Sequence, residues 1–196
     1  MRSTVTQSEA LDANPEGSGR RFARFAEGRA SADGYWPLPP DGLCLSSFVL
    51  LSPADGPDRV LVGRMDPSAP WAEIGALDPV RVQAHSAGWM LPSCHLRWFE
   101  SPAGAARRVL IEQLGLERVD LSAPEIYSES YAPRRHPDRG THWDLEFLFR
   151  GRAPDGWVPA HRAWKRLEFV RPATTPRVEF ARAHDEVLEL AGFRIG

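Results

Sequence analysis

Two apolar runs, "LCLSSFVLLS" over 43–52 and "DRVLVGRM" over 58–65, lack helical spacing and are rich in aliphatic and β-branched residues. Between them lies "PADGP", whose Asp55-Gly56 pair is a turn signal, so the pattern predicts a β-hairpin. Residues 66–80 keep no period and read as an irregular loop. From 102 to 114 the period changes: Ala103, Ala106, Leu110 and Leu114 recur at helical spacing. Ser101 is placed to cap this helix, Pro102 to open it and Gly115 to close it. At about 100° per residue, Arg108 and Glu112 fall one turn apart on the side away from that stripe, with Val109 and Gln113 beside Glu112.

Downstream, "EIYSESY" and "HWDLEFLFRG" predict strands. In the second, Trp143, Leu145, Phe147 and Phe149 share a core face while Asp144 and Glu146 share a partly wet one. "WKRLEFV" is a further strand or a strand-to-helix transition, and 178–190 is expected to be a closing helix with Phe180, Val187, Leu188 and Leu190 as its apolar positions. No internal repeat is visible.

Residues 1–39 differ in composition, being rich in Ser, Gly, Ala, Glu and Arg with Phe22 and Phe25 as apolar anchors, and read as a loosely held arm. "WPLPPDG" at 36–42 imposes extended and turning backbone, so the compact domain is taken as 40–196. A chain of 196 residues suits one domain of that kind. Its formal charge of -2 gives no general attraction to nucleic acid, although Lys165 is the only lysine and the remaining cations are arginines suited to oxyanions. Two cysteines, Cys44 and Cys94, read as free thiols, and no apolar run approaches the roughly 20 residues of a membrane span. These features point to a cytoplasmic protein without a membrane partner.

The stretch "WMLPSCHLRWFESPAGAARRVLIEQLGL" at 89–116 resembles the Nudix hydrolase signature. That signature runs glycine, five residues, Glu, seven residues, Arg-Glu, an aliphatic, any residue, Glu-Glu, any residue, glycine and an aliphatic. Cys94 takes the opening glycine position; Glu100, Arg108, Leu110, Glu112 and Gly115-Leu116 match in register. Trp89, Leu91 and Pro92 are similar to the family's lead-in. The chain departs at Cys94, at Val109 where the family has Glu, and at Gln113 where it has the last Glu.

The resemblance implies a Nudix-like α/β/α sandwich with a mixed β-sheet. It also implies a hydrolase acting on a nucleoside diphosphate linked to another group, with Mg²⁺ or Mn²⁺ held by carboxylates. Glu100 and Glu112 are the expected metal ligands, and Arg108 and Glu112 the expected catalytic residues. Val109 can neither bind a cation nor accept a proton, and Gln113 offers a neutral carbonyl, so the helix lacks two anionic charges. The competing expectation is a non-catalytic nucleotide-sensing or protein-interaction module on the same fold. A homodimer is implied by the family.

Three other features bear on chemistry. "YAPRRHPDRGTHWD" sets Arg134, Arg135, His136 and Arg139 on a loop between strands, where they are candidates for binding ligand phosphates. Asp144 or Glu146 could supply a displaced base, and His142 stands nearby in sequence. Trp71, Trp98 and Trp157 fall in expected loops where a nucleobase could stack. The six histidines show no zinc spacing, and neither a Gly-x-x-x-x-Gly-Lys nor a Gly-x-Gly-x-x-Gly loop is present.

Overall fold

The computed structural model describes residues 43–75, 77, 79–97, 99–131, 142–159 and 163–196. The arm, the segment 36–42, the arginine loop with Arg134, Arg135, His136 and Arg139, and Trp98 lie outside the described residues. The chain divides into two units, Met1–Leu45 with Ser128–Leu145 and Ser46–Tyr127 with Glu146–Gly196. Described residues of the first are strand ends; the second holds the cores and the signature helix.

Strands β1 (Leu43–Ser52) and β2 (Val60–Met65) form where the apolar runs predict them. They do not pair with each other. β1 lies between β3 (Ser93–His95) and β5 (His142–Arg152), in a sheet of order β3-β1-β5-β4 with β4 at Glu125–Tyr131. β2 pairs antiparallel with β6 (Trp164–Val170), so "WKRLEFV" is a strand. The expected hairpin is thus corrected, for two physical reasons. The 53–59 connection is longer than the two-residue loops that enforce hairpin pairing. Both runs are also apolar on successive residues, which marks strands covered on both faces and leaves partner choice to tertiary packing.

That double burial defines the layers. Val49 and Leu51 of β1 and Leu61 of β2 enter one core with Ala105, Ala106, Val109, Leu110 and Leu114. Phe48 and Leu50, Val60 and Val62 enter a second core with Trp89, Leu91, Val187 and Leu188. β5 does the same over its second half, where Phe149 joins the first core and Leu148 the second. The expectation of one wet face holds less far along β5 than the alternation suggests. At Gly63 a Cβ would sit 2.3 Å from Cε3 of Trp164, so only a glycine lets this ring close over β2.

Residues 66–80 are not simply a loop: α1 (Trp71–Ile74) forms there and α2 (Pro79–His85) begins there. Trp71 is buried and meets Trp164 edge-on, with ring centroids 4.9 Å apart, which corrects its placement in a loop. Trp157 packs edge-on against Phe169.

The signature helix, α3, runs Pro102–Arg108 and continues as a wider π-helical turn, Val109–Gln113. Ser101 Oγ accepts the Gly104 N–H at 3.0 Å, and Gly115 closes the helix at φ 67°. Ala103 is exposed and Ala105 takes its expected place in the core. The closing helix is shorter than expected: α4 spans His184–Leu190. Phe180 is instead held in a parallel bridge with Trp89, and Arg182 and Ala183 adopt φ of 55° and 57°, which no helix accommodates. Among the described residues no helix is long and apolar enough to cross a membrane.

Candidate functional site: the signature helix and its loop

Arg108 is aimed inward and is 7% exposed. Its Nε donates to Glu100 Oε1 at 2.7 Å and its Nη2 to Glu100 Oε2 at 2.8 Å, a two-pronged pairing that matches the guanidinium fork to the carboxylate. The fork also reaches two carbonyls, with Nη1 donating to Ile74 at 2.7 Å and Nη2 to His95 at 2.9 Å. Glu100 Oε2 accepts the Arg97 N–H as well, at 2.9 Å. Hydrogen bonding from Arg108 holds the Glu100 carboxyl below its ordinary value of 4.5, and the same bonds raise Arg108. Both oxygens of Glu100 are therefore engaged, and Arg108 joins α3 to α1 and β3.

Val109 and Gln113, the two positions where the signature expects acids, both face inward and are fully buried. Val109 belongs to the core beneath α3. Gln113 Nε2 donates to the Ser93 carbonyl at 2.8 Å, while its Oε1 has no hydrogen-bond partner among the described residues. Glu112 stays near the surface with Arg97 Nη2 3.8 Å away, and Arg97 also donates to the Glu73 carbonyl. The expected triangle of 109, 112 and 113 thus splits, because the inward-facing residues leave Glu112 alone on the outer edge.

Mg²⁺ takes oxygen ligands, commonly one or two carboxylates completed by waters and substrate phosphates. Among the described residues no three His, Cys, Asp or Glu side chains converge into a group that could hold a metal ion by themselves. With Glu100 tied to Arg108, Val109 in the core and the Gln113 amide spent on Ser93, one carboxylate remains. The donor set does not fit a multi-carboxylate centre. Asp144 and Glu146 are half-buried on β5.

Cys94, at the glycine position, is a buried free thiol whose Sγ lies 3.5 Å from the Ala105 carbonyl. Burial pushes it up to about 12, which keeps it protonated and unreactive. Cys44 is also free. Sequence reasoning missed Arg97 and Ser93. Arg97 acts through contacts with Glu112 and the Glu73 carbonyl, and Ser93 through a backbone carbonyl that no side-chain pattern reports.

Layered strands and helices of this kind define an α/β sandwich. The chain is similar to the E. coli dihydroneopterin triphosphate pyrophosphohydrolase at 14% identity and a TM-score of 0.51, covering 74% of this chain and 92% of that one. It is similar also to the Nudix domain of Shewanella oneidensis NrtR, whose structure is complexed with ADP ribose, at 12% identity and a TM-score of 0.50, covering 83% and 91%. No protein-family model and no curated protein matches the chain. Its fold is the Nudix fold, as the 89–116 stretch implies.

Proposed function

We propose that this chain is a nucleotide-binding module on a Nudix fold, in which the signature helix is a structural clamp and no multi-carboxylate cation centre operates. One observation carries this reading: the positions where the signature expects acids are a core valine and a buried glutamine bonded to the Ser93 carbonyl. Support for a nucleotide ligand comes from the similar NrtR domain, complexed with ADP ribose. Calorimetric titration with ADP-ribose in EDTA tests it. Saturable binding, unchanged when Mn²⁺ replaces EDTA and without product formation, is the expected result; metal-dependent cleavage overturns it.

A second reading, metal-assisted hydrolysis of a nucleoside diphosphate derivative, has one observation in its favour. Glu112 Oε2 is buried and accepts no hydrogen bond among the described residues. Under that reading Glu112→Gln abolishes product formation with Mg²⁺ or Mn²⁺; activity unchanged by the substitution removes it.

A further inference from the structure

The segment Met90–Pro92 is a strap between the two sheets. Met90 and Gly63 of β2 exchange both backbone hydrogen bonds at 2.9 Å, and the Pro92 carbonyl takes the Val49 N–H of β1 at 2.9 Å. Leu91 stands between them, and its N–H goes to neither sheet. It donates instead to Nδ1 of His184, the first residue of α4, at 2.8 Å. Leu91 is fully buried and His184 is 2% exposed, so the contact is closed to solvent.

A backbone N–H can only donate, so the Nδ1 that receives it carries no proton. Protonating that atom sets donor against donor, and a buried N–H stripped of its acceptor is costly.

The groups facing the ring do not favour a cation. Phe48 of β1 meets it edge-on, with ring centroids 5.3 Å apart. The recess beside it is lined by Ser46 of β1, Cys94 and His95 of β3, and Arg182 from the turn before α4, with no carboxylate among the lining residues. His85, which ends α2, adds a further titratable group. On α4 itself the neighbouring Asp185 is engaged by Arg177 at 2.7 Å. Burial, then the charges of Arg182 and His85, hold His184 well below its ordinary value of 6.5. The far end of α4 is held by a group of another kind, the Arg150 guanidinium, whose Nη2 donates to the Ala191 carbonyl at 2.7 Å and keeps its proton at every acid pH.

We propose that His184 is an acid-released latch: a proton from solvent taken up on Nδ1 turns the acceptor into a donor, breaks the Leu91 contact and frees the first turn of α4 from the strap. The strap runs on into β3, where the Ser93 and His95 carbonyls accept from Gln113 and Arg108, so one chain segment carries both the latch and the signature clamp. The latch does not depend on the nucleotide reading. In the closed state the ring stays neutral, whereas an opened ring regains its ordinary value and binds a proton below about pH 6.5. Opening is therefore favoured as pH falls, by about tenfold per unit, in a window above the one in which Glu100 titrates.

The test is native-state amide exchange by NMR on the full chain between pH 7.5 and 5.0, with intrinsic exchange rates divided out. The opening constant of the Leu91 amide, and of the α4 amides that open with it, should rise about thirtyfold across that range. Amides of the β2–β6 ladder away from Gly63 should keep their protection. In His184→Asn the side-chain carbonyl keeps an acceptor for Leu91 and takes no proton, so the rise should disappear; His85→Asn and His95→Asn should retain it. A Leu91 opening constant independent of pH in the wild type overturns the proposal, whether or not any variant folds. So does an equal rise across the β2–β6 ladder, which marks global unfolding, and so does a rise that survives in His184→Asn or vanishes in His95→Asn.

Discussion

At the scale of single residues, the Arg108–Glu100 pair is where charge does most for the fold. Both side chains are largely withdrawn from water, at 7% and 16% exposure, and the fork satisfies two carbonyls as well as the carboxylate. Removing one partner of such a pair strands the other, at a cost of about 3–5 kcal/mol. Arg108→Ala should therefore lower stability by that amount in urea denaturation. Glu100 also sets a pH dependence. Its folded-state value lies below 4.5, so its contribution is complete above about pH 4.5 and is lost as pH falls through the depressed folded value. Stability measured between pH 3 and 7 should fall on the acid side in the wild type and fall less in Glu100→Gln. Gln113→Glu, which restores a signature acid, should behave in the opposite sense. It places a carboxylate oxygen where Nε2 now donates to the Ser93 carbonyl, in a fully buried position. Burial raises a carboxyl above its unfolded value, so the cost, about 1–3 kcal/mol or more, should grow as pH rises past roughly 4.3. Equal stability of wild type and Gln113→Glu at neutral pH would contradict the buried assignment.

At the scale of elements, what was legible in sequence was local. Ser101, Pro102 and Gly115 announced both ends of α3 because capping depends on neighbours a few residues away. Ser101→Ala should accordingly cost about 1 kcal/mol, a drop of roughly 2–4 °C in Tm by calorimetry. The π-helical turn at Val109–Gln113 was not legible, since apolar spacing barely distinguishes it from an α-helical turn. Arg108, placed away from the apolar stripe by the 100° rule, is buried for a separate reason, because Glu100 and the Ile74 and His95 carbonyls accept from its fork. The start of α4 failed for a different reason. Phe180 has the spacing of a helix residue, yet its backbone pairs with Trp89, a partner far away in sequence. β1 and β2 were readable as strands but not as members of different sheets, because "FVLL" and "VLV" show no alternation that would choose a partner.

At the scale of the whole molecule, two cores on opposite sides of the strands make the sandwich, and 89–116 made that architecture legible through fixed spacing. The spacing did not reveal what each matched residue would do. Arg108, while holding Glu100, donates to the backbone carbonyls of Ile74 and His95, and Ile74 comes from a segment that read as loop. His184 carried no signal at all, being one histidine among six until tertiary structure buried it against Leu91. The absence of a multi-carboxylate donor set among the described residues has a global readout. A ligand that binds only the folded chain stabilises it by about 2.7 kcal/mol when present at a hundredfold excess over its Kd. In a domain of 150–250 residues that amounts to a Tm increase of roughly 5–11 °C. A cation held by Glu112 alone, with Kd near the working concentration, gives about 0.4 kcal/mol and a rise of about 1 °C. Melting the protein in EDTA and again in millimolar Mn²⁺ should show a difference no larger than the second figure. A rise of several degrees, abolished in Glu112→Gln, would mean that a cation centre forms after all, and the structural reading of the signature helix would give way to the hydrolytic one.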